Sequence, residues 1–350
     1  MNMRLSVLDQ SPVIEGHTPA DALAATLELA QAADALGYER FWCAEHHGMQ
    51  AVCDTSPELM IARIGAATRR IRIGSGGVML PYYSAFKVAE QFSMLEALYP
   101  GRIDLGVGRA PGGGMAAASA VSGNGLGGRY DPDIFPMQVA ELVDLFSGRT
   151  PQHYSRPVRL QPAAATRPQL WMLGSSDFGG ALAAQLGIRF TFAHFISAHG
   201  GEHVMRAFRE EFEPGFEPAP QGAVAVFVIC ADTQAEARQL AAAVDLRRVQ
   251  MALGVDGPIP SLATATAYVP DARAQAIIER ERARSIVGTP AQVAERMLAL
   301  AESFAVDEMV VLTVAASYAA RLRSYELLAQ AFGLQATAAP PARAVPAGGG

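Results

Sequence analysis

The fold is decided by the run Ile71-Arg72-Ile73-Gly74-Ser75-Gly76-Gly77-Val78-Met79-Leu80-Pro81 and by its neighbours along the chain. A helical pattern carrying Lys87 comes next, and then Arg102-Ile103-Asp104-Leu105-Gly106-Val107-Gly108, a second short apolar, β-branched run. Strand, helix and strand at this spacing read as a parallel crossover unit, because parallel neighbours cannot be joined by a tight turn.

The same alternation continues outward in both directions. Strands are expected near 4–9, 39–46, 71–80, 102–108, 169–175, 188–195, 223–230 and 308–314. Thr18-Pro19, Ser56-Pro57 and Thr289-Pro290 each set a capping residue before a proline at the first helical position. Gly37, Gly187 and Gly333 each close an apolar-periodic run, as a left-handed residue does just past a helix. Eight strands with helices between them point to an α/β fold of the (β/α)8 TIM-barrel type, although an open doubly wound sheet has the same strand count. Such a barrel takes ~250 residues, so about 100 of this chain belong to insertions. Two intervals have room for them: 110–168, after strand 4, and 231–307, between strands 7 and 8. The first is glycine-rich and reads as mobile, and the second holds a Pro-containing stretch at 256–270 that reads as a lid. The expected organisation is one barrel domain over 1–334 and a disordered Ala/Pro/Gly-rich tail over 335–350.

Composition narrows the function. Of 350 residues 50% are hydrophobic and 18% charged, which supports a large core and excludes global disorder. A net charge of -6 provides no basic footprint for nucleic acid. Lys87 is the only lysine and lies in a helical pattern, so Schiff-base and pyridoxal chemistry have no natural residue to use. Cys43, Cys53 and Cys230 contain no C-x-x-C pair, which disfavours a disulfide framework or structural zinc. Arg4 and Asp9 interrupt any signal-peptide core, and the longest apolar stretch, 223–230, is far short of a membrane span. The expected setting is cytoplasmic, with neither membrane nor nucleic acid as partner.

Barrel enzymes place their chemistry at the C-terminal ends of the strands. The second expected strand ends in Glu45-His46-His47, three ionisable groups in one turn. A capped strand end whose histidines bond nearby carbonyls explains them equally well. Metal binding is the weaker reading, because adjacent strand residues point apart and no second cluster completes a site. Gly76-Gly77 at the rim of the third strand would let a flat ligand lie against the backbone, or simply relieve a barrel corner. Arg109 ends the fourth strand where it could hold a phosphate bidentately, whereas Arg102 and Asp104, at its beginning, read as a structural ion pair. Ser175 and Ser176 open the helix after the fifth strand, a ready anion site that ordinary N-capping also explains. Gly123–Gly128 matches G-x-G-x-x-G but follows no strand, so it is discounted. His194 reads as a rim histidine, and Trp42, Met79, Tyr82 and Tyr83 as candidates for an apolar pocket lining.

Taken together, Phe41-Trp42-Cys43-Ala44-Glu45-His46-His47, Gly74–Pro81, Ala89-Glu90-Gln91, Gly101-Arg102, Gly106–Arg109 and Gly288-Thr289-Pro290 resemble the bacterial luciferase-like flavin monooxygenases, in order and spacing, from about residue 3 to 333. Leu173-Gly174-Ser175-Ser176 and Arg321–Glu326 resemble the alkanal-monooxygenase-like branch. The resemblance implies a (β/α)8 barrel that uses reduced FMN and O2 to oxygenate a small, aldehyde-like substrate through a flavin hydroperoxide. It implies that His46 is the base near the reactive flavin carbon, with His47 and Glu45 in support. It further implies that Arg109, Ser175 and Ser176 hold the phosphate, and that Gly76-Gly77 forms a non-prolyl cis peptide beneath the ring. A separate NAD(P)H:flavin reductase and a homodimer are the implied partners. Gly108 and Ser175 stand where light-emitting members carry cysteine and glutamate, which argues against light emission. The rival readings are a deazaflavin-dependent hydride-transfer enzyme and a flavin-binding protein without catalysis.

Overall fold

The computed structural model describes residues 3–109, 112–122 and 131–335. Gly123–Gly128 and all but the first residue of the expected tail therefore lie outside the described residues. Among those described, nine parallel strands form one sheet. They are β1 (Arg4–Asp9), β2 (Arg40–Cys43), β3 (Arg72–Met79), β4 (Ile103–Gly108), β5 (Gln169–Gly174), β6 (Arg189–Ala193), β7 (Gly222–Cys230), β8 (Ser285–Gly288) and β9 (Glu308–Leu312). Strands β1 to β6 pair in sequence order, β6 pairs with β7, β7 with β9, and β9 returns to β1. Eight strands thus close into a barrel, and the open-sheet alternative is removed.

The ninth strand is a correction to the sequence expectation. β8 pairs with Phe227–Cys230 of β7, whereas β6 pairs only with Gly222–Ala225. It takes up the part of β7 that β6 does not reach. Four residues, Ser285-Ile286-Val287-Gly288, are too short a run to stand out from the helical patterns on either side.

The helices are α1 (Pro19–Leu36), α2 (Pro57–Ala67), α3 (Ala85–Leu98), α4 (Met115–Val121), α5 (Phe135–Phe146), α6 (Asp177–Gln185), α7 (Gly201–Glu210), α8 (Gln234–Ala252), α9 (Leu262–Ala267), α10 (Ala272–Arg282), α11 (Pro290–Phe304) and α12 (Tyr318–Ala331). Three begin at the expected proline signals. Thr18 and Thr289 close capping boxes with Asp21 and Gln292, while Ser56 occupies the cap without a side-chain bond. Gly37, Gly187 and Gly333 all have positive φ just past helices, as their positions required. No helix among the described residues is long and apolar enough to cross a membrane.

Alternation along the strands sorts side chains into two layers. Leu5, Val7, Phe41, Ile73 and Leu105 face outward and pack with Leu29, Phe92 and Leu142 of the helices. Leu8, Trp42, Trp171, Ala225, Val310 and Leu312 form a second cluster inside the barrel. Towards the strand N-termini this interior becomes ionic. The Arg40 guanidinium donates to Glu308 at 2.5 Å and to Asp104 at 2.7 Å, and all three are essentially inaccessible. Arg72 bonds the other oxygen of Asp104, at 2.6 Å. Asp104 is therefore a structural ion-pair partner, but not of Arg102, whose guanidinium bonds Ile71 O and Thr68. Asp104 points into the barrel, whereas Arg102 precedes the strand and its guanidinium is taken up by those acceptors.

The stretch read as a lid is hydrogen-bonded to the segment after β1. Ile259 N donates to Val13 O and Glu15 N to Ile259 O, both at 2.8 Å, and Glu15 also receives Ser261 N and Thr264 Oγ1. Removing Arg40 tests the ionic floor. Arg40→Met leaves two carboxylates buried without their central cation, and should cost about 3–5 kcal/mol of stability. Denaturant unfolding of the variant checks this; an unchanged midpoint would contradict it.

Candidate active site

At the C-terminal ends of the strands the barrel opens into a cavity of about 250 Å³. Its walls include Leu8, Gln10, Trp42, Ala44, His46 and Met79 on one side. Arg109, Ser175, Ser176, Phe178 and Thr191 line the other. A second chamber of about 760 Å³ shares Gln10, His46, Met79, Phe195 and Ile196 with the first. His46 therefore stands where the two spaces meet.

Gly76 and Gly77 line the first cavity, and the peptide between them is cis. The strand bulges here, since Gly76 pairs with Gly106 and Val78 with Val107. Close approach is what demands glycine at both positions. A Cβ on Gly76 would lie 2.7 Å from Leu8 Cδ1, and one on Gly77 would lie 2.7 Å from the Gly106 carbonyl oxygen.

The Glu45-His46-His47 triplet divides into two functions. His46 lines both spaces, and its Nδ1 is 2.9 Å from Asp54 Oδ2. His47 and Glu45 line neither. Glu45 Oε1 takes His47 Nε2 at 2.7 Å and the Tyr83 hydroxyl at 2.6 Å, while its Oε2 takes Met79 N at 2.9 Å. This buried carboxylate thus fixes the backbone at the cavity edge. Tyr83 serves it and does not line the cavity, and Tyr82 packs edge-on against His47. His194 also stays out of the cavity lining, its Nδ1 buried without a hydrogen-bond partner and burial holding its pKa below the usual value.

Asp54 is the residue the sequence did not single out. It sits in the loop before α2, 3% exposed, where a lone acid ordinarily reads as a solubilising group. The Pro12–Val52 bridge holds that loop against the segment after β1 and so turns the carboxylate inward. Burial disfavours the His46 imidazolium, but the Asp54 hydrogen bond and the charges of Asp54 and Glu45 outweigh it and raise the pKa. Burial likewise lifts the Asp54 carboxyl, with the bond to His46 pulling it back.

Across the cavity, Arg109 lies over the Phe178 ring at 4.3 Å. Ser176 occupies the N-cap of α6 but makes no side-chain capping bond. Capping therefore does not consume its hydroxyl. Thr191 Oγ1 of β6, also missed in the sequence, is buried in this wall without a hydrogen-bond partner. Among the described residues no group of three His, Cys, Asp or Glu side chains is arranged to hold a metal, and the three cysteines are free.

The luciferase-like monooxygenase family model matches residues 3–308. The chain belongs to that family. It is 44% identical to the uncharacterized protein YwcH of Bacillus subtilis (strain 168), over 94% of this chain and 98% of that one. It is 36% identical to the N-acetyl-S-alkylcysteine monooxygenase of the same organism, covering 94% and 98%. The crystal structure of apo-MsnO8 superposes with a TM-score of 0.86 at 38% identity, covering 95% of this chain and 99% of that one. The luciferase-like barrel is therefore that of an oxidoreductase of the monooxygenase class.

Replacing Asp54 tests the coupling at the cavity. Asp54→Asn should lower the His46 pKa, because burial then acts with less opposition. The stabilising proton on His46 is held in full below the unfolded-state pKa and lost as pH rises through the raised folded value, so the variant should lose stability mainly on the acid side of that window. NMR titration of the His46 ring checks the shift; an unmoved pKa would remove Asp54 from the site.

Proposed function

We propose that this luciferase-like enzyme uses reduced FMN and O2 to oxygenate a small organic substrate at the His46 cavity. One observation carries the reading. A single cavity brings an anion-binding end, built from Arg109, Ser175 and Ser176, together with a flat glycine floor and a carboxylate-held histidine. The residues fit the group. Ser176 has a hydroxyl not spent on capping, Thr191 has a buried hydroxyl awaiting a partner, and the N-terminus of α6 favours negative charge.

When bound, reduced FMN supplies the two electrons that activate oxygen. The protein's part is positional. Arg109, Ser175, Ser176 and the α6 amides would hold the phosphate, and the Gly76–Gly77 backbone would support the ring. Leu8, Trp42, Met172, Phe195 and Ile196 keep water from the reacting face. His46 gives its Nδ1 to Asp54, which leaves Nε2 to accept or deliver the reaction's proton. His47 and Glu45 act through Met79 and the cavity edge and not on the substrate itself. Since one relative is named for N-acetyl-S-alkylcysteines, thioethers join aldehydes as substrates to try. A separate NAD(P)H:flavin reductase as the source of reduced FMN, and a homodimer, belong to the same proposal.

The test mixes the protein anaerobically with reduced FMN, admits oxygen and follows flavin absorbance by stopped flow. Reoxidation should be slower than in buffer and pass through a distinct spectral phase. In the presence of a turned-over aldehyde or thioether, His46→Ala should slow turnover by about 10²–10⁴-fold while FMN affinity is retained. Reoxidation as fast as in buffer would overturn the oxygenase reading in favour of hydride transfer to a deazaflavin or of non-catalytic binding.

A further inference from the structure

The second chamber is apolar over much of its wall, with Met49, Val52, Phe227, Val244 and Leu312 among its lining residues. Its far side is charged, and the charges do not balance. Arg247, Arg248 and Arg284 face it, against Asp256 and Glu281. Both carboxylates are already engaged. Asp256 pairs with Arg247 at 3.3 Å and also receives the amides of Gln50 and Gly257. Glu281 forms a close salt bridge with Arg284 and a second, at 3.2 Å, with Arg280.

Arg248 is the cation left over. Its hydrogen bonds go to neutral acceptors, the Glu281 carbonyl at 3.3 Å and Ser285 Oγ at 2.9 Å, and among the described residues no carboxylate lies within salt-bridge distance. Its guanidinium carbon sits 4.8 Å from the centre of the Phe227 ring, which holds the group against β7. Burial, with Arg284 and Arg282 nearby, depresses its pKa to about 10, and the attraction of Asp245, a carboxylate already paired with Arg282, does not offset them. The adjoining Arg247, 5% exposed, also has its Nε without a partner. A guanidinium held in this way is costly to bury and is matched in shape and charge by a carboxylate.

We propose that the chamber takes a substrate with an apolar body and a terminal carboxylate, the carboxylate held by Arg248 and the apolar body reaching back towards His46. This rests on the monooxygenase reading, to which it adds the class of substrate. It replaces the wholly apolar, aldehyde-like molecule of the sequence expectation with an amphipathic acid. The excess cation supplies the specificity, because an uncharged isostere would leave it unpaired.

The experiment is calorimetric titration of the FMN-loaded protein with straight-chain alkanoates of increasing length, each beside the primary amide of equal length. At one or more lengths the carboxylate should bind about tenfold or more tightly than the amide, and the preference should weaken with salt. Arg248→Leu should abolish the preference and Arg248→Lys should retain part of it, with FMN titration of each variant verifying that it is folded. Equal binding of acid and amide at every length, or no binding of either, would overturn the proposal, as would a preference that survives in Arg248→Leu. The wild-type comparison decides even if the variants do not fold. None of these readouts requires oxygen, so this inference and the oxygenase reading fail separately.

Discussion

Inside the ring of strands a single guanidinium, that of Arg40 on β2, gathers Glu308 of β9 and Asp104 of β4, and reaches Gln169 of β5 at 3.2 Å. Its central carbon lies 4.8 Å from the centre of the Trp171 ring. Burying a cation costs several kcal/mol, and here two carboxylates and an aromatic face offset that cost. The carboxylates respond in kind: burial works against ionisation of Asp104 and Glu308, yet the neighbouring arginines outweigh it and hold both below their usual range. A lysine could not replace the group, since its point charge cannot span two carboxylates and lie against a ring at once. The arrangement also ties strands that lie apart in the sheet, so barrel closure is written into a single side chain.

That floor makes a hollow mouth possible. Above it, Trp42 and Trp171 meet edge to face at 5.2 Å, and the Trp42 Nε1 donates to Asp104 at 3.0 Å. The aromatic layer seals the ionic end from the cavity and supplies the wall against which Gly76 approaches. At the rim a second buried pair, Arg321 with Asp9 at 2.9 Å, locks α12 to the end of β1 beside Gln10. The stability of the molecule is thus concentrated below and around the site. The groups lining it, His46, Thr191 and Ser176, keep polar atoms available for a ligand.

The barrel and much of its mouth were legible in the chain, for physical reasons. Strand runs, proline-marked helix starts and glycine stops are local signals, and each of the eight expected strands falls within a few residues of its observed place. Gly76, Gly77, Arg109, Ser175, Ser176 and His46 were legible because strand ends of a barrel converge on one face, and all six line the cavity. What escaped was relational. Asp54 becomes His46's partner only through a bridge between two loops, and Thr191 matters only because its hydroxyl is buried. The supporting role of Glu45 and His47 took its form only in three dimensions. Glu45 and His47 sit beside His46 in sequence, but neighbouring residues at a strand end diverge, and these two face Tyr83 and the backbone of Met79.

The same distinction separates the two chambers. The first lies within the ring of strands, lined from β1 to β6 and by Ala225 of β7 and Val310 of β9, where any α/β barrel has strand ends to converge. The second owes its charged wall to the insertion between β7 and β9: Arg247 and Arg248 come from α8, Glu281 from α10, and Arg284 from the turn into β8. β8 is central to this, since it pairs with the portion of β7 that carries Phe227 and supplies Ser285 to Arg248. A short extra strand, nearly invisible in the sequence, therefore does what loop length alone could not. It anchors the insertion so that the half-buried Arg248 is held between Ser285 and the Phe227 ring at the cavity wall. In this molecule the common architecture forms the chamber proposed for the cofactor, and the departure from the eightfold repeat forms the wall proposed to select the substrate.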